Sequence, residues 1–201
     1  AGAFLAASAP TGRVIGCDRD LDALEEAQEA LSSEGGRVEF RHEDFLTALS
    51  RLQKEAIRPD TILMDLGVSS MQLDRQERGF SLREDDILDM RMDQSRGRTA
   101  SDFLNHSPSE DIEHALCEWG GEPRGRRVAE AIVRRRKERP FRTTGDLRCL
   151  IEEVLRRRGG RVHPATRTFQ GIRIAVNDEM NQLTKALPQA VGLLPLGGTL
   201  A

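Results

Sequence analysis

Tyrosine is absent from this 201-residue chain, tryptophan occurs once and phenylalanine seven times. A protein that bound nucleic acid by stacking bases on a platform of rings would need more of them. Cysteine is scarce as well: Cys17, Cys117 and Cys149 lie far apart and fit no metal-ligand spacing. Cys17 falls inside an apolar strand pattern and reads as a small, buried, reduced residue, which points to a reducing, cytoplasmic setting. No apolar run approaches the roughly 18–20 residues that cross a bilayer, so no membrane segment is expected. The start, Ala1-Gly2-Ala3-Phe4-Leu5, lacks the basic segment and apolar core of a signal peptide and reads as the inside of a helix. The close, Leu196-Gly197-Gly198-Thr199-Leu200-Ala201, reads as a turn running into a strand, so both ends are expected to be cut.

Lysine is limited to Lys54, Lys137 and Lys185, and nearly every cation is therefore an arginine. The net charge of −3 hides an asymmetry. Residues 1–120 hold 13 Lys and Arg against 25 Asp and Glu, and residues 121–201 hold 17 against 8. An acidic part beside a basic part suits a small-molecule site next to a nucleic-acid surface. Arginine richness from genomic base composition, on merely solvated faces, is the alternative.

The apolar pattern orders the first third. A helix end at Ala3–Ala7 precedes a short buried strand, Arg13 to Asp18, and a helix spaced on Leu21, Leu24, Ala27 and Leu31. A strand over 37–42 follows, then a helix from Leu46 to Ala56. The stretch Thr61-Ile62-Leu63-Met64-Asp65-Leu66-Gly67-Val68-Ser69-Ser70 reads as a third buried strand ending in a polar loop. Alternating helices and strands argue a parallel α/β sheet. In such sheets ligands bind outside the carboxyl ends of the strands, where Asp18 and Asp65 both fall. At that position Asp18 can accept both hydroxyls of a ribose; it can equally be solvated or help cap the next helix.

Beyond Glu77 the pattern is turn-rich and then helical: Thr99 to Asn105, Ser109 to Trp119, Arg124 to Glu138 and Thr144 to Arg157. Thr99, Ser109 and Thr144 are the expected caps. The expected division is 1–76 and 161–201 for the sheet domain, with an inserted helical domain over 77–160. Helix Arg124 to Glu138 buries Val128, Ala129, Ile132 and Val133, and seven cations on its other faces offer a nucleic-acid backbone contact. A final helix, capped by Thr166 or Thr168, is expected to pack through Phe169, Ile172, Val176 (or Ala175), Leu183 and Leu187. His163, Arg167 and Arg173 would stand off its core face as an anion site; for His163 a plain surface loop is the alternative.

Four stretches, DLGVSSMQLD, ERGFS, LDMRMD and HPATRTFQGIRIAVNDE, in this order closely resemble the bacterial small-subunit ribosomal RNA cytosine-N(4)-methyltransferase family. The similarity runs along essentially the whole chain. It implies a class I S-adenosylmethionine-dependent methyltransferase fold, a Rossmann-like parallel sheet with an inserted helical domain. It further implies S-adenosylmethionine as cofactor, and the N(4) amine of a cytidine in small-subunit ribosomal RNA as the acceptor. Carried over motif by motif, Asp18 would meet the cofactor ribose, Phe45 the adenine, and Asp65 and Gln72 the cofactor as well. Asp89 and His163 would stand on the substrate side. The family's glycine-rich loop ending in Gly-Gly-His would precede Ala1, and its Ser-Phe-His-Ser-Leu-Glu-Asp run would follow Ala201.

The Asn/Asp/Ser-Pro-Pro-aromatic loop of many amino-methyltransferases has no counterpart in Asp65-Leu66-Gly67-Val68, so no catalytic base is assigned. Asp65, Ser69 and Ser70 are the nearest groups by position. Two other readings stand beside this one. A non-catalytic RNA-binding or ribosome-assembly factor would use the basic lobe alone. A nicotinamide-dependent oxidoreductase would use Asp18 for a dinucleotide ribose, and Gly-x-Gly-x-x-Gly upstream would be its mark.

Overall fold

The structure, a computed structural model, describes residues 1–69, 72, 76–155 and 163–201. It divides into two compact units: Ala1–Leu66 with Met180–Ala201, and Gly67–Glu179. The second is thus inserted, in sequence, into the first, and it reaches beyond 77–160 on both sides.

In the sheet unit, α1 (Gly2–Ala7) leads to β1 (Val14–Asp18), α2 (Leu21–Ala30), β2 (Val38–His42), α3 (Phe45–Lys54) and β3 (Thr61–Ile62). Strand β1 pairs parallel to β2 with Asp18 opposite His42, and β3 pairs parallel to β4 (Thr199–Leu200). The helix starts follow from short polar side chains. Asp20 accepts the Asp22 N–H at 3.2 Å to start α2, and Asp44 accepts the Thr47 N–H at 2.8 Å to start α3. The core is small: Leu49, Leu52, Ala186, Ala190 and Leu193, with Ile15, Phe45, Ile62 and Leu200 packed against it.

Two expectations fail here. The third strand is short and not buried: Leu63 is 56% exposed and Leu66 50%. Its ladder ends with the Met64 N–H on the Ala201 carbonyl at 2.9 Å, and among the described residues only β4 pairs with it. Alternate side chains of a strand point to opposite faces, and Leu63 lies on one left uncovered among the described residues. The last helix is two helices, α8 (Thr166–Asn177) and α9 (Glu179–Leu193), parted by Asp178 at φ 53° and ψ 34°. After that left-handed break α9 packs through Ala186, Ala190 and Leu193, while Leu187 is exposed.

The helical unit holds α4 (Ala100–His106), α5 (Ser109–His114), a π-helical turn at Ala115–Trp119, α6 (Gly125–Glu138), α7 (Thr144–Leu155) and α8. Its core joins, among others, Phe103, Leu116, Ile132, Phe141, Leu147 and Ile172, all fully buried or nearly so. Each such side chain contributes about 1.5–3 kcal/mol by leaving water. Thr99 makes a capping box with Asp102 as expected. Ser109 lies inside α5 rather than at its cap, which is Pro108. The cap of α7 is made one residue before the expected one: the Thr143 hydroxyl accepts the Asp146 N–H at 3.2 Å, and Asp146 accepts the Thr143 N–H at 3.3 Å. Neither threonine caps α8, whose start is tied by the Thr166 N–H to the His163 carbonyl at 3.1 Å.

Glycine lets α8 lie against the π-helical turn. A Cβ on Gly171 would stand 2.3 Å from the Ala115 carbonyl oxygen, and one on Gly120 would stand 2.4 Å from that of Arg167. Gly171, within the FQGIR stretch, is therefore a packing residue.

Candidate cofactor site

At the carboxyl end of β1, Asp18 is partly buried and its Oδ1 accepts the Asp20 N–H at 2.8 Å. Burial raises its carboxyl above the usual range, against the pull of the Asp20 N–H. The helix-start role of this acid is the one observed: it shapes the turn into α2, and its carboxylate has further acceptor sites. The Asp18 carbonyl takes the Glu43 N–H at 3.0 Å, which binds the ends of β1 and β2 together. Phe45 begins α3 two residues on and is partly buried against the sheet-unit core. Asp18 and Phe45 therefore belong to adjacent strand ends. Asp65 lies beyond β3 and is exposed.

Glu43, between Asp18 and Phe45 in the chain, is a site feature that periodicity did not reveal. It is 6% exposed, lies 3.1 Å from Arg51, and neither carboxylate oxygen has a hydrogen bond. A charged residue directly after a strand reads as solvated, and only the burial marks it.

In the helical unit, Gln72 is buried and tied to Ser69 twice: its Oε1 accepts the Ser69 N–H at 3.1 Å, and its N–H meets the Ser69 hydroxyl at 3.2 Å. The Ser69 hydroxyl is therefore engaged. Ser70 lies outside the described residues.

The motifs ERGFS, LDMRMD and NDE converge on one buried network. Arg78, 3% exposed, donates to the Met92 carbonyl at 2.9 Å and the Arg91 carbonyl at 3.3 Å. Asn177 donates to the Met90 carbonyl at 2.7 Å and accepts the Met92 N–H at 2.8 Å. Between these clamps Met90 is held at φ 60°, a left-handed conformation costly for a side chain of its size. Asp89 grips Arg91 with both oxygens at 2.8 Å, so its carboxylate is committed to fixing this loop. Sequence reading singled out Asp89 but missed Arg78 and Asn177, because a buried polar clamp leaves no periodic trace.

His163 is exposed. Its Nδ1 accepts the Ala165 N–H at 3.2 Å, which leaves Nε2 as the donor to Glu152 at 3.1 Å. Arg173 does not join it at the start of α8, being paired with Glu179 at 2.8 and 3.1 Å. The basic helix α6 is also less free than its composition suggests. Arg136 donates to the Leu104 and Ser107 carbonyls at 2.8 and 2.7 Å, and Arg135 pairs with Asp146 at 2.8 Å.

A family model described as the MraW methylase family matches residues 1–201. Among curated proteins, the chain is 46% identical to a ribosomal RNA small subunit methyltransferase H of Geobacter sp. (strain M21), over 98% of this chain and 64% of that protein. It is 45% identical to the protein of that name from Methylobacterium sp. (strain 4-46), over 98% of this chain and 59% of that one. The chain therefore spans about three fifths of the length of these relatives.

Proposed function

The chain belongs to the MraW methylase family, and from that premise we propose that the protein methylates the N(4) amine of a cytidine in small-subunit ribosomal RNA, using S-adenosylmethionine. The observation that carries this is a family match along all 201 residues, joined to relatives at 43–46% identity that bear a ribosomal RNA methyltransferase name. Cytoplasmic location follows from that substrate. No helix among the described residues is long and apolar enough to cross a membrane.

The strand ends of the sheet unit fit the cofactor. Asp18 offers a desolvated carboxylate for a ribose diol, and Phe45 offers a ring beside it in the chain for the adenine. Asp65 and Gln72 are assigned to the cofactor by their motif, and Asp89 and His163 are proposed as substrate-side partners. Held by these residues, S-adenosylmethionine would supply a methyl on a sulfonium sulfur; the sulfur would leave with the bonding electrons as the amine nitrogen bonded the methyl, and the nitrogen would then give up a proton. The protein's task is alignment, with reacting atoms about 3–3.5 Å apart. Exposed Asp65 positions rather than deprotonates: the amine is acidic once methylated and can lose its proton to water. A paired cytosine must also be drawn out of its stack to be reached.

Incubation with tritiated S-adenosylmethionine and unmodified small ribosomal subunits, followed by digestion to nucleosides, tests the proposal. Tritium in N(4)-methylcytidine is expected. RNA binding with no cofactor binding and no label would instead favour the assembly-factor reading.

A further inference from the structure

A second recess, within the helical unit, carries more positive charge than its own carboxylates answer; it meets the LDMRMD stretch where the Arg142 carbonyl accepts the Leu88 N–H at 3.0 Å. It is a cavity of about 380 Å³ walled by Arg135, Arg139, Arg142 and Arg148, with Asp85 and Asp146. That volume lies within the range that holds small ligands.

Both acids are already committed. Asp146 is 2.8 Å from Arg135 and also accepts the N–H groups of Arg142 and Thr143 at 3.0 and 3.3 Å. Asp85 accepts the Gly145 N–H at 2.8 Å, so it serves the start of α7. Arg135 is fixed further by lying 4.4 Å over the Phe141 ring. Three cations remain. Arg139 stands 75% exposed at 3.6 Å from the already occupied Asp146. Arg148 spends one nitrogen on the Leu82 carbonyl at 2.7 Å. The Arg142 side chain is exposed and has neither ion pair nor hydrogen bond among the described residues.

Gathering like charges around a concavity is unfavourable unless an anion enters. Guanidinium forks suit phosphate oxygens in pairs. The occupant is a backbone rather than a base, because the one ring at hand, Phe141, is fully buried beneath Arg135. We propose that this cavity binds phosphodiester groups of the substrate RNA at a distance from the methylated base, through Arg139, Arg142 and Arg148. The identity of the polyanion rests on the ribosomal RNA reading above; the phosphate chemistry rests on the cavity.

The test is fluorescence anisotropy of a labelled single-stranded fragment of small-subunit ribosomal RNA, titrated at several salt concentrations. Both Arg139 and Arg142 are exposed, so the Arg139→Gln/Arg142→Gln variant should fold; an unchanged Trp119 emission verifies it. The variant should bind about tenfold more weakly, with a salt slope shallower by about 1.4, or roughly 0.7 for each lost phosphate contact. Lys185→Gln, an exposed cation of the sheet unit, should leave both unchanged. Wild-type affinity and slope in the double variant would overturn the proposal, as would polyglutamate of equal charge binding as tightly as RNA. If wild type and double variant methylate the fragment with equal KM, this inference falls and the methyltransferase reading stands. An arginine-dependent slope without any methyl transfer would support the cavity and refute the enzyme.

Discussion

The two units differ in how completely their own residues account for them. Among the described residues, the helical unit joins twenty buried apolar side chains in one core and the sheet unit joins five. The helical unit also ties its chain ends and loops locally, with capping boxes at Thr99 and Thr143 and the Arg78–Asn177 clamp around Met90, while Asp86 Oδ2, Glu122 Oε2 and Thr168 Oγ1 stay buried without a hydrogen bond among the described residues. The sheet unit leaves Leu63, Leu66 and Val191 more than half in water or close to it. The candidate cofactor residues Asp18, Phe45 and Asp65 lie in the unit with the smaller core among the described residues, in a chain that spans about three fifths of its relatives' length.

The contrast can be broken most forcefully at Gly171. Gly171→Ala forces a methyl against the Ala115 carbonyl, and both backbones are helical, so relief requires α8 to move. A loss of about 3 kcal/mol is expected in denaturant unfolding followed by Trp119, the one tryptophan, which lies in this unit. A loss below about 1 kcal/mol would show that the interface is loose. Next in size, Asn177→Ala strands the Met90 carbonyl and the Met92 N–H and should cost about 2 kcal/mol by the same reading. The sheet unit should tolerate Leu63→Ser within about 0.5 kcal/mol, since that side chain is already exposed. A larger loss there would mean that β3 is covered after all.

Acid should weaken the helical unit without mutation, and Asp18 of the sheet unit acts with the opposite sign. The Thr99 hydroxyl and N–H hold Asp102 below the ordinary 3.8. Burial pushes Asp146 up, but the N–H groups of Arg142 and Thr143 and the Arg135 guanidinium outweigh it, so it too lies below 3.8. Groups lowered in this way contribute fully above 3.8 and lose that contribution as the pH falls through their folded values beneath it. Asp18, raised by burial, costs stability while ionised, and that cost fades as the pH falls from its folded value to 3.8. The Trp119 Tm should therefore drop from about pH 4 to about pH 2.5. A Tm that stays flat would contradict the assignment.

Local signals were readable and long-range ones were not. The strand–helix order, the acid ending β1 and the Thr99 cap follow from short windows of sequence, and the structure places them as expected. The break at Asp178 was hidden because apolar residues continue on both sides of it; only a left-handed residue changes which face is buried. Exposure of Leu63 depends on what packs on that face of β3, and Thr-Ile-Leu-Met looks the same with the face covered or bare. The Asn177 clamp joins segments far apart in the chain through polar atoms, which carry no period at all.

Hydrogen exchange with each ligand in turn tests the division of labour most directly. S-adenosylmethionine should slow exchange at residues 18–20 and 43–46, and small-subunit ribosomal RNA should slow it at residues 139–148. Cofactor protection confined to the helical unit, or RNA protection that omits residues 139–148, would contradict the account.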